Sequence, residues 1–246
     1  QIYQNAEEFY RAENGHAIGY FWGYKTAGIF QNQQDINNWI AAGNGVLQSN
    51  VQPGDVKYVD VNHDGTINAN DKVDLGNGLP KYTFGFNFTL GYKGFDLSAN
   101  FTGAAGFQIA QSYRDPSGSQ GNYSHRILGR WTGEGTSNEM PRVTYGDVGN
   151  WLFSDLYLQD GDYIRLQNLT LGYDFKKLIS WKGLSKLRLY FQVQNLFTLT
   201  KYDGMDPEIG SYNGTDGNSS DSWVSGVDMG YYPHPRTFIV GVNVAF

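Results

Sequence analysis

Residues 60–71 read DVNHDGTINAND, and their oxygen-bearing side chains fall at the spacing of a twelve-position calcium loop. Asp60, Asn62 and Asp64 take positions 1, 3 and 5. Gly65 supplies the turn at position 6, Thr66 offers its carbonyl at position 7, Asn68 stands at 9 and Asp71 at 12. Calcium takes about six to eight hard oxygen ligands, and three carboxylates, two amides and one carbonyl suit it. Ile67, at position 8, can plug the loop into a core. Two departures stand out. Asp71 is shorter than the Glu that usually binds bidentately at the last position, and no amphipathic helices flank the loop. The expected role is a structural Ca2+ that pins the connection 31–80. The plainer alternative is a self-capping Asp/Asn/Gly turn.

Other chemistry-bearing residues form no comparable pattern. His16, His63, His125 and His234 show neither metal-ligand nor triad spacing. Asp203, Asp206 and Glu208 could pass for paired acids, but Gly204 and Pro207 among them read as turn chemistry. No G-x-S-x-G, H-E-x-x-H or P-loop occurs, so no covalent catalysis is expected. Glycosylation-type triplets at Asn87, Asn122, Asn168, Asn213 and Asn218 read as compositional chance. The segment YSHRILGRW suggests a short helix carrying Ile127 and Trp131. Tyr113, Trp131, Trp151, Trp223, Tyr231 and Tyr232 are the candidates for contact with a substrate or a lid protein.

Composition narrows the classes. The 246 residues carry a net charge of -6, against a nucleic-acid partner, and there is no Cys. Aromatics make up 16% and there are 32 Gly, a balance that favours strands and turns. Mean hydropathy is -0.48 and no run of about eighteen apolar residues exists, so a membrane-spanning helix is excluded. A membrane barrel is not, because alternation averages to a polar value. Gln1 is an unusual start, and a piece of a longer chain is expected.

The elements that would position the loop are strands. In KYTFGFNFTLGY, residues 81–92, Tyr82, Phe84, Phe86, Phe88, Leu90 and Tyr92 share one face, and Thr83, Gly85, Asn87, Thr89 and Gly91 the other. Lys93-Gly94 reads as a two-residue turn, after which Phe95, Leu97, Ala99 and Phe101 continue the apolar face. In residues 162–175, Leu169, Leu171, Tyr173 and Phe175 share a face while Ile164 and Leu166 fall out of phase, which predicts a bulge near Gln167-Asn168. A basic turn with Trp181 leads to a strand with Leu187, Leu189, Phe191 and Val193 on one side and Arg188, Tyr190, Gln192 and Gln194 on the other. The last segment alternates Phe238, Val240, Val242, Val244 and Phe246. A weaker candidate spans 17–30, with Tyr20, Trp22 and Tyr24 in phase. Connections between these six strands run long, short, long, short, long, as in an outer-membrane barrel whose long loops 31–80, 107–161 and 199–235 are extracellular.

Taken together, GYFWGYKTAGIFQNQ, PGDVKYVDVNHDGTINANDKVDLGN, PKYTFGFNFTLGYKGFDLSANFTG, RWTGEGTSNEMPR, DGDYIRLQNLTLGYDF, LRLYFQVQNLFTLTKYDGMDPE and YYPHPRTFIVGVNVAF resemble the C-terminal part of a SusC/RagA-type TonB-dependent outer-membrane transporter of Bacteroidetes. The resemblance implies an all-β fold, an antiparallel transmembrane barrel segment supplying the last six or so of about twenty-two strands. It implies import of glycans or peptides under a SusD-like lipoprotein lid, driven by TonB through a plug not seen in this sequence. Phe84, Phe86, Phe88, Leu90, Leu189, Phe191, Phe238, Val240, Val242 and Phe246 would then face lipid. The rival readings are a soluble calcium-stabilised β carbohydrate-binding module and an outer-membrane-anchored enzyme acting through Asp206 or Glu208. The module would bury the apolar faces in a sandwich.

Overall fold

The structure, a computed structural model, describes residues 10–111, 125–144, 149–209, 225–228 and 230–246. The chain divides into two units: one from Gln1–Gly78, Gln108–Gln159 and Ile209–Gly230, the other from Leu79–Phe107, Asp160–Glu208 and Tyr231–Phe246. In chain order the elements are β1 (Tyr10–Arg11), β2 (Tyr20–Tyr24), β3 (Thr26–Ile29), α1 (Gln33–Ala41), β4 (Val56–Tyr58), β5 (Lys72–Asn77), β6 (Tyr82–Tyr92), β7 (Phe95–Ala105), β8 (Gln108–Gln111), β9 (Leu158–Asp160), β10 (Tyr163–Asp174), β11 (Lys186–Thr200), β12 (Val227–Asp228) and β13 (Thr237–Ala245), with short 3-10 turns between.

The second unit is one antiparallel sheet in the order β13-β11-β10-β7-β6. Its first hairpin closes as the sequence suggests. Lys93 and Gly94 both take positive φ, 46° and 97°, the backbone of a type I′ turn whose twist matches the strands. Pairing then runs from Tyr92 opposite Phe95 to Tyr82 opposite Ala105 without a slip. On β10 the register shifts between Leu166 and Asn168. The extra residue restores the phase: Leu166 faces Phe101 and Leu169 faces Ala99, so Ile164 and Leu166 rejoin the apolar side.

The first unit corrects the expectation for 17–30. That segment is no strand of the large sheet. It breaks into β2, which pairs with β1 and β5, and β3, which pairs with β4. The reason is burial on both faces. Tyr20, Phe21, Tyr24, Ile29 and Phe30 are all inside, so alternation of Tyr20, Trp22 and Tyr24 leaves no face free. Among the described residues the large sheet therefore has five strands rather than six.

The described parts of the connections read as long loops are folded. Tyr10, Phe21, Ala110, Phe153, Tyr157 and Val227 form one core cluster. Tyr24, Ile29, Val56, Tyr58 and Ile67 form a second, so Ile67 anchors the acidic loop as its position predicts. The helix α1, absent from the sequence reading, starts where the Asn32 side chain accepts the Asp35 amide at 2.9 Å, and it buries Ile36. Within the 123–131 segment the described residues form a 3-10 turn, His125–Gly129, that stops short of Trp131.

Candidate functional site

Three arrangements have functional potential: the two faces of the five-stranded sheet, an ion-pair cluster at one end of it, and the acidic loop of the first unit. On the sheet, direct pairing stacks apolar against apolar: Phe86 with Phe101, Leu90 with Leu97, Leu171 with Phe191, Leu189 with Val242, Phe191 with Val240 and Val193 with Phe238. No second layer of described residues covers this side. Phe84, Phe86, Phe88, Leu90, Leu189, Phe191, Phe238, Val240, Val242 and Phe246 are all exposed, Phe86 to 59% and Val240 to 72%. A sandwich core would bury them, so the module reading loses its central requirement.

The opposite face is polar and built around glycines. Arg188 reaches over Gly172 to grip Asp96 with both ends of its fork, at 2.8 and 2.5 Å. A Cβ at Gly172 would stand 2.5 Å from that guanidinium, and one at Gly241 would collide with the Tyr190 ring. Gln192 donates to Asn168 at 3.2 Å.

At the end of the sheet away from the Lys93-Gly94 turn, Arg165 is buried on this polar side. Its guanidinium donates to Thr198 at 2.9 Å, to Glu208 at 2.7 Å and to Asp206 at 2.5 Å. His234 joins through its amide and ring, both against Asp206. Burial pushes the Asp206 carboxyl up. The amide of Glu208, the ring and amide of His234, and Arg165 together outweigh that and hold it below the usual carboxylate range. Ligand atoms of Asp206, Glu208 and His234 lie within 4.8 Å of one another. The guanidinium already supplies their positive partner, so the group is closed as ion pairs.

The acidic loop is held by its own amides. Asp60 accepts from Asp64 and Gly65, Asn62 and Asp64 cap the next residues, and Asp71 accepts from Val61, Asn62 and Asn68. Gly65 takes φ 82°, which the turn requires. Asp60 and Asp71 are buried, and none of the three carboxylates meets a Lys or Arg among the described residues. Buried carboxylates without a cation nearby, in an all-oxygen donor set, fit a hard divalent ion. Asp71 departs from the bidentate pattern. One oxygen takes two amides and the other takes one, which leaves a lone pair on the latter.

No family model matches the chain. TonB-dependent receptor P3 of Formosa agariphila is 34% identical over 234 residues, which is 94% of this chain and 22% of that protein. TonB-dependent receptor P26 of the same organism is 32% identical over 94% of this chain and 23% of its own length. TonB-dependent receptor SusC of Bacteroides thetaiotaomicron is 28% identical over 82% of this chain and 18% of that protein. The chain belongs to the SusC-type TonB-dependent receptors. It spans under a quarter of these relatives' length. The RagAB peptide transporter matches with a TM-score of 0.65 at 20% identity, over 97% of this chain and 25% of that one. The RagAB peptide importer in its 'open-open' state matches with 0.63 at 19% identity, over 96% and 24%. These two structures share the fold, and SusC-type receptors are outer-membrane proteins, so the chain is placed there.

Within this SusC-type chain the remaining candidates scatter. Trp151 packs against the first core cluster and Trp131 against the second. Tyr231 and Tyr232 are exposed, whereas Tyr113, Trp223 and the His125 side chain lie outside the described residues. His16 pairs with Asp74 at 2.9 Å and stacks on Tyr20, and His63 is exposed between ligand positions. Sequence reading missed the Arg165 cluster because its members are far apart in the chain. The available signal was a charged residue, Arg165, set between the apolar Ile164 and Leu166.

Proposed function

We propose that the chain forms part of the wall of an outer-membrane importer that takes up glycans or peptides, with TonB as its energy source and a SusD-like lipoprotein as its lid. One observation carries the reading: a five-stranded sheet with a largely exposed apolar face and a polar reverse, whose β6–β7 turn and β10–β11 connection lie at the same end. A transmembrane strand needs about 9–11 residues, and β6 and β7 have 11 each. The names of the relatives and the RagAB peptide importer support the same reading. In this role the apolar face meets lipid, and Arg188, Tyr190, Gln192 and Gln194 line the aqueous side. The described residues act by architecture and carry no group poised for covalent chemistry. Cells lacking the intact protein should lose uptake and growth on its glycan or peptide, as should cells lacking TonB, and the lipoprotein should co-purify. Uptake that persists in both strains, or a chain that stays monomeric and folded without detergent, would sink the proposal.

The acidic loop is proposed as a structural calcium site. Asp60, Asn62, Asp64, the Thr66 carbonyl, Asn68 and one oxygen of Asp71 would hold the ion, and the ion would supply the counter-charge the carboxylates lack. Titration calorimetry should show calcium heat that disappears in the Asp60→Ala/Asp64→Ala variant. No heat with the intact protein ends this part of the proposal and leaves the importer reading standing.

A further inference from the structure

The first unit carries a cavity of about 600 Å³ beside the acidic loop, a size that suits a small ligand. Its floor is aliphatic. Val73 and Leu75 project from one face of β5, and Val59 and Val61 follow β4 into the loop. All four keep part of their surface in solvent, Val61 the most at 38%. Among the described residues no Phe, Tyr or Trp lines the cavity, so a pyranose ring finds no aromatic plane to stack on.

The charged groups around this floor divide into committed and open ones. Asp60 gives both oxygens to amides of its own loop. Asp74 accepts the Gly76 amide at 2.8 Å and bonds the His16 ring at 2.9 Å. His63 is exposed, on a backbone of φ 59°. Two groups stay open. Lys25 is exposed, and its ammonium has no partner among the described residues. Asp155 accepts the Thr26 hydroxyl at 2.6 Å on one oxygen and the Thr26 amide at 3.2 Å on the other, and it meets no Lys or Arg among the described residues. Each of its oxygens keeps a lone pair. An ammonium and a carboxylate therefore border one aliphatic cavity without pairing with each other. A ligand that carries both signs on an aliphatic body would complete them, with a charge-assisted hydrogen bond at each end.

We propose that this cavity binds a short peptide with free ends. The peptide carboxylate pairs with Lys25, its ammonium with Asp155, and its aliphatic side chains rest on the valine and leucine floor. This deepens the importer reading, on which it rests, by choosing peptide over glycan. Titration calorimetry on the intact protein in detergent tests it with leucyl-leucine, the carboxamide and N-acetyl forms of that dipeptide, and maltotriose. Leucyl-leucine should give saturable heat and maltotriose none. Lys25→Gln should weaken leucyl-leucine by roughly fivefold and leave the carboxamide, which has no carboxylate to lose, unchanged. Asp155→Asn should weaken leucyl-leucine likewise and spare the N-acetyl form. Val61→Trp, which fills the floor from an exposed position, should abolish dipeptide binding. Leucyl-leucine heat that survives Val61→Trp, or a Lys25→Gln loss shared equally by the carboxamide, would refute the site. Maltotriose heat that Val61→Trp removes would refute the choice of peptide and leave the importer reading standing. No heat from any probe would refute the cavity as a ligand site, and the importer reading would then be decided by the uptake and growth measurements alone.

Discussion

Arg165 is the residue on which the polar end of the sheet turns. It is buried, and four side chains, Thr198, Asp206, Glu208 and the His234 ring, converge on its guanidinium. Removing Asp206 leaves a buried cation short of its nearest carboxylate, so Asp206→Ala should cost about 3 kcal/mol in denaturant unfolding of the detergent-solubilised protein. The pH dependence has a fixed sign. Asp206 titrates lower when folded than unfolded, so its contribution is complete above the unfolded value of about 3.9 and is lost as pH falls through the depressed folded value. An acid-unfolding midpoint that does not move between wild type and Asp206→Asn would contradict this assignment. Gly172 poses the converse case, because its missing side chain is the space Arg188 and Asp96 use. Gly172→Ala should displace that ion pair and cost about 1–3 kcal/mol, read as a lowered thermal midpoint. Little of this was legible in the sequence. Alternation placed Arg188 on the polar face, but nothing in the spacing of Arg165, Asp206 and His234 says that they meet. Their encounter depends on where the segment after β11 folds back, which is tertiary information.

The strands are the elements the sequence specified best, and for a physical reason. Where one face is apolar and the other polar, a one-residue slip would invert every side chain, so the pattern dictates the register. The β6–β7 hairpin and the β10 bulge could both be located from side-chain parity alone. The same argument failed for residues 17–30, because a strand buried on both faces has no parity to read. A charge scan tests the sheet at this level. Phe86→Arg places a cation on the apolar face and should destabilise the folded protein in vesicles by about 2–4 kcal/mol near mid-bilayer, while Asn87→Arg, one residue away on the polar face, should be nearly neutral. Equal costs at the two positions would mean that the faces do not differ in solvent. The acidic loop is a second element that was visible early. The spacing of its oxygen-bearing side chains and the anchoring of Ile67 were both readable, whereas the use of Asp71 as an amide acceptor was not, since that depends on how the loop closes on itself.

At the scale of the whole molecule, the described parts of the long connections are folded around cores of their own, and residues of β2, β3 and β4 pack with Ile67 of the acidic loop. If calcium binds there, it stabilises that unit by mass action, by about 2.7 kcal/mol at a hundredfold excess over the dissociation constant. Chelation should therefore lower the first of two thermal transitions and spare the transition of the sheet. A single transition that ignores chelator would show that the loop holds nothing of consequence. Sequence alone could not foresee this unit, because its strands are short and its pairings link segments far apart. The sheet has one further property with a bearing on biogenesis. Its order leaves β6 and β13 as its two rims, each presenting a row of amides and carbonyls that hydrocarbon cannot solvate. Entry into the bilayer and zippering to flanking staves must then be a single event, so a synthetic strand matched to either rim should act as a decoy and arrest maturation of the nascent pore.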